Sequence, residues 1–284
     1  MNSIQQKIQQ HYNSANIAER FIYINIVVFI ITFSVKAFAT LMQWGDNPFF
    51  DWFALPSIFE NFIVKPWTII SYGFLHSSFL HIFFNSVLLF YFGNLFLDFF
   101  SKQDFIIYYF SGIVIGGLIY LLSYNFFPAL VHKNTSLVGA SAGVTAVLAG
   151  IATKAPNYAM HFRFIGAIKL WYIAVGIIIL DIIQIPLGNT GGHLAHLGGA
   201  LIGFLLTTQT DKSKSLSSFF GNLFKSKKQS PLKTVYKRTN PLSSNQTSNA
   251  HQRKIDTILD KISKSGYETL NQEEKDFLFS VGKK

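Results

Sequence analysis

The sequence contains no cysteine among its 284 residues, and only 13% of its residues are charged. Without cysteine the chain can form neither a disulfide bond nor a thiolate metal site, and cysteine usage gives no information on its redox compartment. Soluble domains carry roughly 25% charged residues, so the low charge content argues against a soluble globular protein. Half of the residues are hydrophobic, and 30 of them are phenylalanine.

The few charges are distributed unevenly along the chain. Residues 1–210 contain nine Lys or Arg and seven Asp or Glu, whereas residues 211–284 contain fifteen and seven, a net charge of +8. A basic segment beside membrane spans is more simply explained as a cytoplasmic flank facing anionic lipid than as a nucleic-acid surface. We therefore predict that the tail has membrane lipid, and no nucleic acid, as a partner.

Six apolar stretches predict transmembrane helices, because a bilayer core of ~30 Å requires about 20 apolar helical residues. They lie at residues 21–43, 80–98, 104–123, 138–153, 166–184 and 191–208. The segment 44–79 is rich in Phe, Trp and Pro, and we expect a structured, partly embedded loop there. The predicted fold class is an all-α membrane protein, a bundle of six transmembrane helices with a basic soluble tail.

The predicted domain organisation has four parts, and no cleavable signal peptide is apparent before the first apolar run. The parts are a cytoplasmic N-terminal segment at 1–20, the membrane domain at 21–208, a flexible basic linker at 209–249 and a small helical module at 250–284. An even number of spans places both termini on one side of the membrane. Because basic residues concentrate in the tail and the inner loops, that side is predicted to be the cytoplasm.

Polar residues in three of the spans are predicted to lie at a similar depth. The second, fourth and sixth spans all run from outside to inside, and each carries polar side chains near its outer end. Ser141 and His196 each lie about five residues inside the predicted helix start, roughly 7 Å below the outer surface. Asn85 and His81 fall at a similar level. Polar side chains in spans are costly unless they face the protein interior, so these are candidate functional residues.

The chemistry of these side chains fits acyl transfer. A serine hydroxyl becomes a nucleophile when a base takes its proton, and His196 could be the base for Ser141. Donors for the oxyanion could come from the Ser141 backbone N–H, the Asn85 amide and the His81 imidazole. Taken singly, each residue could be purely structural, as a packed small residue, a buried histidine or an interhelical hydrogen bond. The combination favours catalysis.

Ser141 stands in GASAG (139–143), which fits both the G-x-S-x-G pattern of serine hydrolases and a Gly-xxx-Gly helix contact. A soluble α/β-hydrolase is excluded, because the motif opens an apolar helix without a strand-turn-helix context. With PWTIISYGFLHSSFLHIFFN (66–85) and AHLGGALIG (195–203), it gives the chain a resemblance to the rhomboid intramembrane serine proteases over about residues 55–208.

The resemblance implies roles for individual residues. It makes Ser141 the nucleophile and His196 the base of a catalytic dyad, and it places His81 and Asn85 in the oxyanion hole. Three glycines are expected to allow close helix packing near the site, namely Gly139, Gly199 and Gly203. No cofactor and no metal are implied. The expected activity is endoproteolysis of single-span membrane protein substrates near the outer membrane face, in a bacterial inner (plasma) membrane.

Some positions depart from the family pattern. Ala142 stands where a glycine usually follows the nucleophile, and Thr145 stands where many members carry an aromatic residue under the histidine. Something else must therefore orient His196. Asp181, an acidic residue in the fifth span, is a candidate third member of a triad, although a structural or gating role is favoured. His193 is expected to be interfacial or solvated.

Two other functions remain open at this point. A catalytically silent rhomboid relative would bind transmembrane clients without cutting them. A channel or transporter lined by histidines would predict internal repeats, and none is visible.

Residues 250–284 are predicted to form a helical hairpin. Gly266 would stop the first helix, and Asn271 would cap the second, with Glu274 three residues later. This hairpin could dock an unknown partner or pack on itself.

Overall fold

The computed structural model describes residues 12–45, 47–131, 133–162, 166–210 and 246–281, together with positions 6 and 9. The chain divides into two units, Met1–Lys225 and Ser226–Lys284. The predicted linker at 209–249 lies mostly outside the described residues, whereas 11 of the 20 residues of the predicted N-terminal segment are described.

The first unit is helical, with two short strand pairs. Its helices are α1 (Ile17–Leu41), α2 (Pro48–Phe53), α3 (Phe59–Val64), α4 (Thr68–Ser71), α5 (Phe79–Phe99), α6 (Lys102–Phe126), α7 (Ser141–Lys154), α8 (Leu170–Gln184) and α9 (Thr190–Thr210). Antiparallel pairs join β1 (Leu55–Pro56) to β2 (Ser136–Leu137), and β3 (Ala159–Phe162) to β4 (Gly166–Lys169). The predicted all-α class is confirmed, since neither pair extends into a larger sheet.

Three predicted helix starts were wrong by three or four residues. Helix α1 begins at Ile17 rather than at residue 21. The fourth span was expected to begin at residue 138, but helix α7 begins at Ser141, because the preceding residues Ser136 and Leu137 pair with the chain at β1. The fifth span was expected to begin at residue 166, but residues 166–169 form β4 and helix α8 begins only at Leu170. In the fifth span, the strand residues at 166–169 directly precede the helix and continue its largely apolar sequence.

The loop before α5 is structured, as predicted. It contains helices α2 to α4 and a 3₁₀ turn at Tyr72–Phe74. The indole rings of Trp52 and Trp67 are stacked with their centroids 6.1 Å apart, and the Trp67 Nε1–H donates to the Trp52 carbonyl oxygen at 2.8 Å. These contacts join two parts of the loop that leads into α5, the helix that carries two of the candidate site residues.

Among the described residues, helices α1, α5 and α6 are long and apolar enough to cross a membrane. Helices α7 and α8 are apolar but shorter, with 14 and 15 residues. At 1.5 Å per residue, α7 is about 21 Å long, less than the ~30 Å bilayer core. Helices α5, α6, α8 and α9 all pack against α7. A short helix is tolerated at membrane depth when protein rather than lipid surrounds its ends.

Glycines bring the backbones of α6, α7 and α9 into contact. A Cβ atom added to Gly199 would overlap the Ala142 carbonyl oxygen, and one added to Gly203 would overlap the Ala146 carbonyl oxygen. On α6, a Cβ atom at Gly112 would lie 2.5 Å from the Ala142 oxygen. Helix α7 is therefore held at backbone distance from α9 and α6, as small-residue interfaces allow.

The second unit is a helical hairpin of α10 (Gln246–Ser265), a 3₁₀ turn and α11 (Gln272–Val281). Gly266 ends α10 with a φ of 82°, a conformation that favours glycine. The predicted capping box is present: the Glu274 N–H donates to Asn271 Oδ1 at 2.8 Å, and the Asn271 N–H donates to Glu274 Oε2 at 2.9 Å. The Lys261 ammonium group, 2.8 Å from Glu274 Oε2, lowers the pKa of Glu274.

Replacing Asn271 by alanine is expected to loosen α11, because the first N–H groups of the helix lose their side-chain acceptor. N-cap losses of this kind cost about 1 kcal/mol, which is roughly a fivefold loss of protection. Amide hydrogen exchange of residues 272–281 in the full chain measures the effect. Asn271→Asp, which keeps an acceptor, is the matched control and should retain near-normal protection. Equal protection in Asn271→Ala and the unaltered chain would contradict the capping argument.

Candidate active site

Ser141 is the first residue of helix α7 rather than a residue within it. The predicted depth of five residues inside the helix was therefore wrong for Ser141, whereas His196 does lie six residues after the start of α9. The first N–H groups of a helix have no intrahelical acceptor and carry the positive end of the helix dipole. Ser141 therefore lies beside unpaired backbone N–H groups that can stabilise a negative charge on a bound group.

Ser141 and His196 are in direct contact across the α7–α9 interface. The Ser141 Oγ lies 2.6 Å from His196 Nε2. The two residues are 55 positions apart in sequence, and the glycine contacts of α9 on α7 make the approach possible. This is the geometry that a serine nucleophile and its base require.

Asp181 is the second partner of His196. Its Oδ1 lies 2.9 Å from His196 Nδ1 and 2.8 Å from His193 Nδ1. All three side chains are shielded from solvent, with exposed fractions of 8% for Asp181, 11% for His193 and 20% for His196. His193 had been expected to be interfacial or solvated; it is instead buried against Asp181, one helical turn from His196. Helix α8 therefore contributes the carboxylate, and α9 contributes both imidazoles.

His81 lies close to the serine. A Cβ atom added to Gly139 would lie 2.8 Å from His81 Nε2 and 3.4 Å from Ser141 Oγ, so both side chains border Gly139. On its far side, His81 Nδ1 lies 3.4 Å from the Ser77 backbone nitrogen. A backbone N–H can only donate, so Nδ1 accepts, and the Nε2 of a neutral His81 ring carries the proton that faces the site.

The interpretation of Gly139 as a helix-packing residue needs correction. Gly139 precedes α7 and has a φ of 130°, in the region that favours glycine. Its backbone N–H donates to the Tyr72 carbonyl oxygen at 3.0 Å, which ties the loop before Ser141 to the loop before α5. The missing side chain makes room for the imidazole of His81, which lies on α5, and not for the backbone of a neighbouring helix.

Asn85 and Thr145 are both engaged with backbone carbonyls. Asn85 is buried on α5, one turn from His81, and its Nδ2 donates to the His81 carbonyl oxygen at 3.0 Å. The Thr145 Oγ1 lies 3.0 Å from the Ser141 and Ala142 oxygens and 3.2 Å from the His196 oxygen. Thr145 therefore bridges α7 and α9 at the level of the serine and the histidine, where many rhomboids carry an aromatic ring.

The histidine cluster is also a group of possible metal ligands. Among the residues that the structure describes, Asp181, His193 and His196 have ligand atoms that all lie within 4.8 Å of one another. Both Nδ1 atoms are at hydrogen-bond distance from the same carboxylate oxygen. Proton sharing accounts for this arrangement without an ion, so the expectation of no metal stays a prediction.

Sequence reasoning offered Asp181 as a possible partner of His196 but favoured a structural or gating role, and it missed Ser77. Asp181 did stand out as an acidic residue in an apolar span. Its distance in sequence from His196 did not show that the hairpin of α8 and α9 would bring them together. The side chain of Ser77 lies 3.1 Å from His81 Nδ1, and HSSFLH contains no pattern that distinguishes this serine from its neighbour.

Comparison with known proteins agrees with the resemblance seen in the sequence. A family model described as the rhomboid domain matches residues 64–210. The chain is 32% identical over 134 residues to the presenilin-associated rhomboid-like protein A, mitochondrial, of Danio rerio. That match covers 46% of this chain and 34% of the relative, so the chain spans about a third of that protein's length.

The tail has a separate match. Residues 243–283 fit the model of a family of unknown function (DUF6576). This range contains the α10–α11 hairpin, so the hairpin is a recognisable unit beyond the membrane bundle.

The rhomboid model covers half of the chain, including every helix that carries a candidate site residue. The chain is an integral membrane protein and belongs to the rhomboid family.

Proposed function

We propose that the protein is an intramembrane serine endopeptidase that cleaves single-span membrane proteins near the outer face of the membrane. The observation that carries the proposal is the 2.6 Å contact between Ser141 Oγ and His196 Nε2. In this mechanism His196 takes the hydroxyl proton as Ser141 attacks the scissile carbonyl carbon, and it then protonates the leaving amine. Water attacks the acyl-enzyme and regenerates Ser141.

The oxyanion of the tetrahedral intermediate would have donors on two sides. The N–H groups at the start of α7 supply one set, with the helix dipole favouring negative charge there. His81 supplies the other, because its Nε2–H faces Ser141 across Gly139. Asn85, one turn after His81 on α5, is the third predicted donor to the oxyanion. No step requires a cofactor.

A substrate helix must unwind locally before Ser141 can reach its backbone, because hydrogen bonding within a helix shields its carbonyl groups. Helix tops that contain glycine unwind at the lowest cost, since glycine is a poor helix former. We therefore expect cleavage sites near glycine at the outer end of a substrate span. With the basic tail and inner loops on the cytoplasmic side, both termini would face the cytoplasm of a bacterial cell.

Covalent labelling is expected to identify Ser141 as the nucleophile. A fluorophosphonate reacts with an activated serine, so the purified full chain in detergent should be labelled once, at Ser141, with the adduct located by mass spectrometry. Labelling should disappear in Ser141→Ala and persist in Ser136→Ala, an exposed serine five residues upstream. Labelling that survives Ser141→Ala would eliminate Ser141 as the nucleophile. Labelling that never occurs would instead favour a rhomboid relative that binds transmembrane clients without cutting them.

A further inference from the structure

A serine–histidine pair does not by itself require a carboxylate, yet Asp181 contacts both His193 and His196. We propose that Asp181 is a positioning residue, steadied by His193, that fixes the tautomer of His196 and stabilises its protonated form. The reacting unit is then Ser141–His196–Asp181. This inference rests on the proposed function and adds a residue to it.

The hydrogen-bond geometry determines where the protons lie. Asp181 Oδ1 has a ring nitrogen on each side, at 2.8 Å and 2.9 Å. The two nitrogens cannot both be acceptors, because this oxygen would then have to carry two protons. A protonated carboxyl oxygen could donate to one ring only if it accepted from the other, so His193 and His196 would hold opposite tautomers. The ionised carboxylate satisfies both contacts at once, with each Nδ1–H donating to it.

This assignment prepares His196 for its reaction. A neutral imidazole carries one proton, so a proton on Nδ1 leaves Nε2 as an acceptor. Nε2 is the atom that lies 2.6 Å from the Ser141 hydroxyl, and the hydroxyl therefore donates to it. When His196 takes that proton, the positive ring faces a carboxylate with 8% exposure, where attraction is weakly screened.

Asp181 also orients the His196 ring. Thr145, one turn after the serine, contacts the His196 backbone oxygen rather than the imidazole. The imidazole nitrogens of His196 contact Asp181 on one side and Ser141 on the other. The ring is thus held at both nitrogens.

His193 has a supporting role. A buried carboxylate needs hydrogen-bond donors to offset its lost hydration. His193 Nδ1–H is such a donor to Asp181, and it stays in place while His196 accepts and returns the proton of Ser141. His193 and His196 are three residues apart and so share one face of α9. His193→Gln retains an N–H donor, whereas His193→Ala removes it, and only the second should lower kcat, by about fivefold to tenfold.

Nuclear magnetic resonance of ¹⁵N-labelled histidine tests the tautomer directly. In the full chain in detergent at about pH 8, His196 should show a protonated Nδ1 and an unprotonated Nε2, with its signals assigned by their loss in His196→Ala. In Asp181→Asn the amide N–H group competes as a donor, and the His196 signals should shift towards the Nε2–H tautomer. Unchanged His196 signals in Asp181→Asn would overturn the inference, whatever the activity.

Kinetics provide a second readout. Asp181→Asn should lower kcat by about 10²- to 10⁴-fold, as loss of the correct tautomer does in serine proteases. KM should change less than about threefold, because Asp181 does not contact the serine side of the site. Asp181→Glu keeps a carboxylate and should recover at least about a tenth of the lost activity.

The matched control is Asp98→Asn, the same change at an exposed position on α5, which should leave kcat and stability unaltered. Labelled Ser141 together with a kcat for Asp181→Asn within about threefold of the unaltered protein would overturn the role of Asp181 and leave the protease proposal intact. If the unaltered protein neither reacts with the fluorophosphonate nor cleaves a substrate, the protease proposal fails, and the histidine signals still decide the tautomer.

Discussion

Replacing Ser141 by alanine is expected to lower the cleavage rate of a single-span substrate by about 10⁴- to 10⁶-fold, and His196→Ala should do the same. In the proposed mechanism the two side chains act as one unit, because the hydroxyl attacks only as the imidazole removes its proton. Removing either therefore removes most of what both supply, and the double variant should be no slower than either single one. The measurement is cleavage of a tagged substrate in liposomes by the purified full chain.

The control for the histidine change is His161→Ala, since His161 is exposed on β3, beyond the opposite end of α7. Its cleavage rate should match that of the unaltered protein. A double variant much slower than both single variants would contradict the paired action of Ser141 and His196. Substantial cleavage by Ser141→Ala would eliminate this serine as the nucleophile.

Replacing Gly203 by alanine is expected to destabilise the bundle by about 3 kcal/mol or more, at the upper end of the cost of overpacking a core. The added methyl group would overlap the Ala146 carbonyl oxygen, which belongs to a backbone and cannot rotate away. Helix α9 must then move from α7, which lengthens the contact between His196 and Ser141. Unfolding in mixed micelles should show the lost stability, and the cleavage assay should show a loss larger than the unfolded fraction explains.

Gly176→Ala is the matched control for this change. Gly176 lies within α8, and no atom lies within 4 Å of the position that a Cβ would occupy. Alanine is the better helix former, so stability should be unchanged or should rise by up to about 1 kcal/mol. Equal destabilisation by the two changes would mean that the α7–α9 contact is not what makes Gly203 sensitive.

The sequence was sufficient to predict the helical class, because apolar runs long enough to cross a bilayer form helices that satisfy their own backbone groups. It was also sufficient to select Ser141, His196 and His81, because polar side chains are rare in such runs. It was insufficient for helix starts, since short strands at 136–137 and 166–169 precede two of the helices and hydropathy does not mark where the helix begins. It was insufficient for Asp181 because hydropathy does not give the rotation of α8 about its own axis. Only the packing of α8 on α9 turns that carboxylate towards two histidines.

The backbone contacts around α7 have a consequence for the water that hydrolysis consumes. Every described α7 residue from Ala142 to Ala152 except Thr145 is buried, and the glycines at 112, 199 and 203 leave no room between helices for a water molecule. These three helix contacts below the serine are therefore closed to water. In the proposed protease, water for deacylation must therefore approach from the N-terminal end of α7, past Gly139 and His81. Nucleophile, oxyanion donors and water would then share one entrance, and a substrate strand lying across it would control when water arrives.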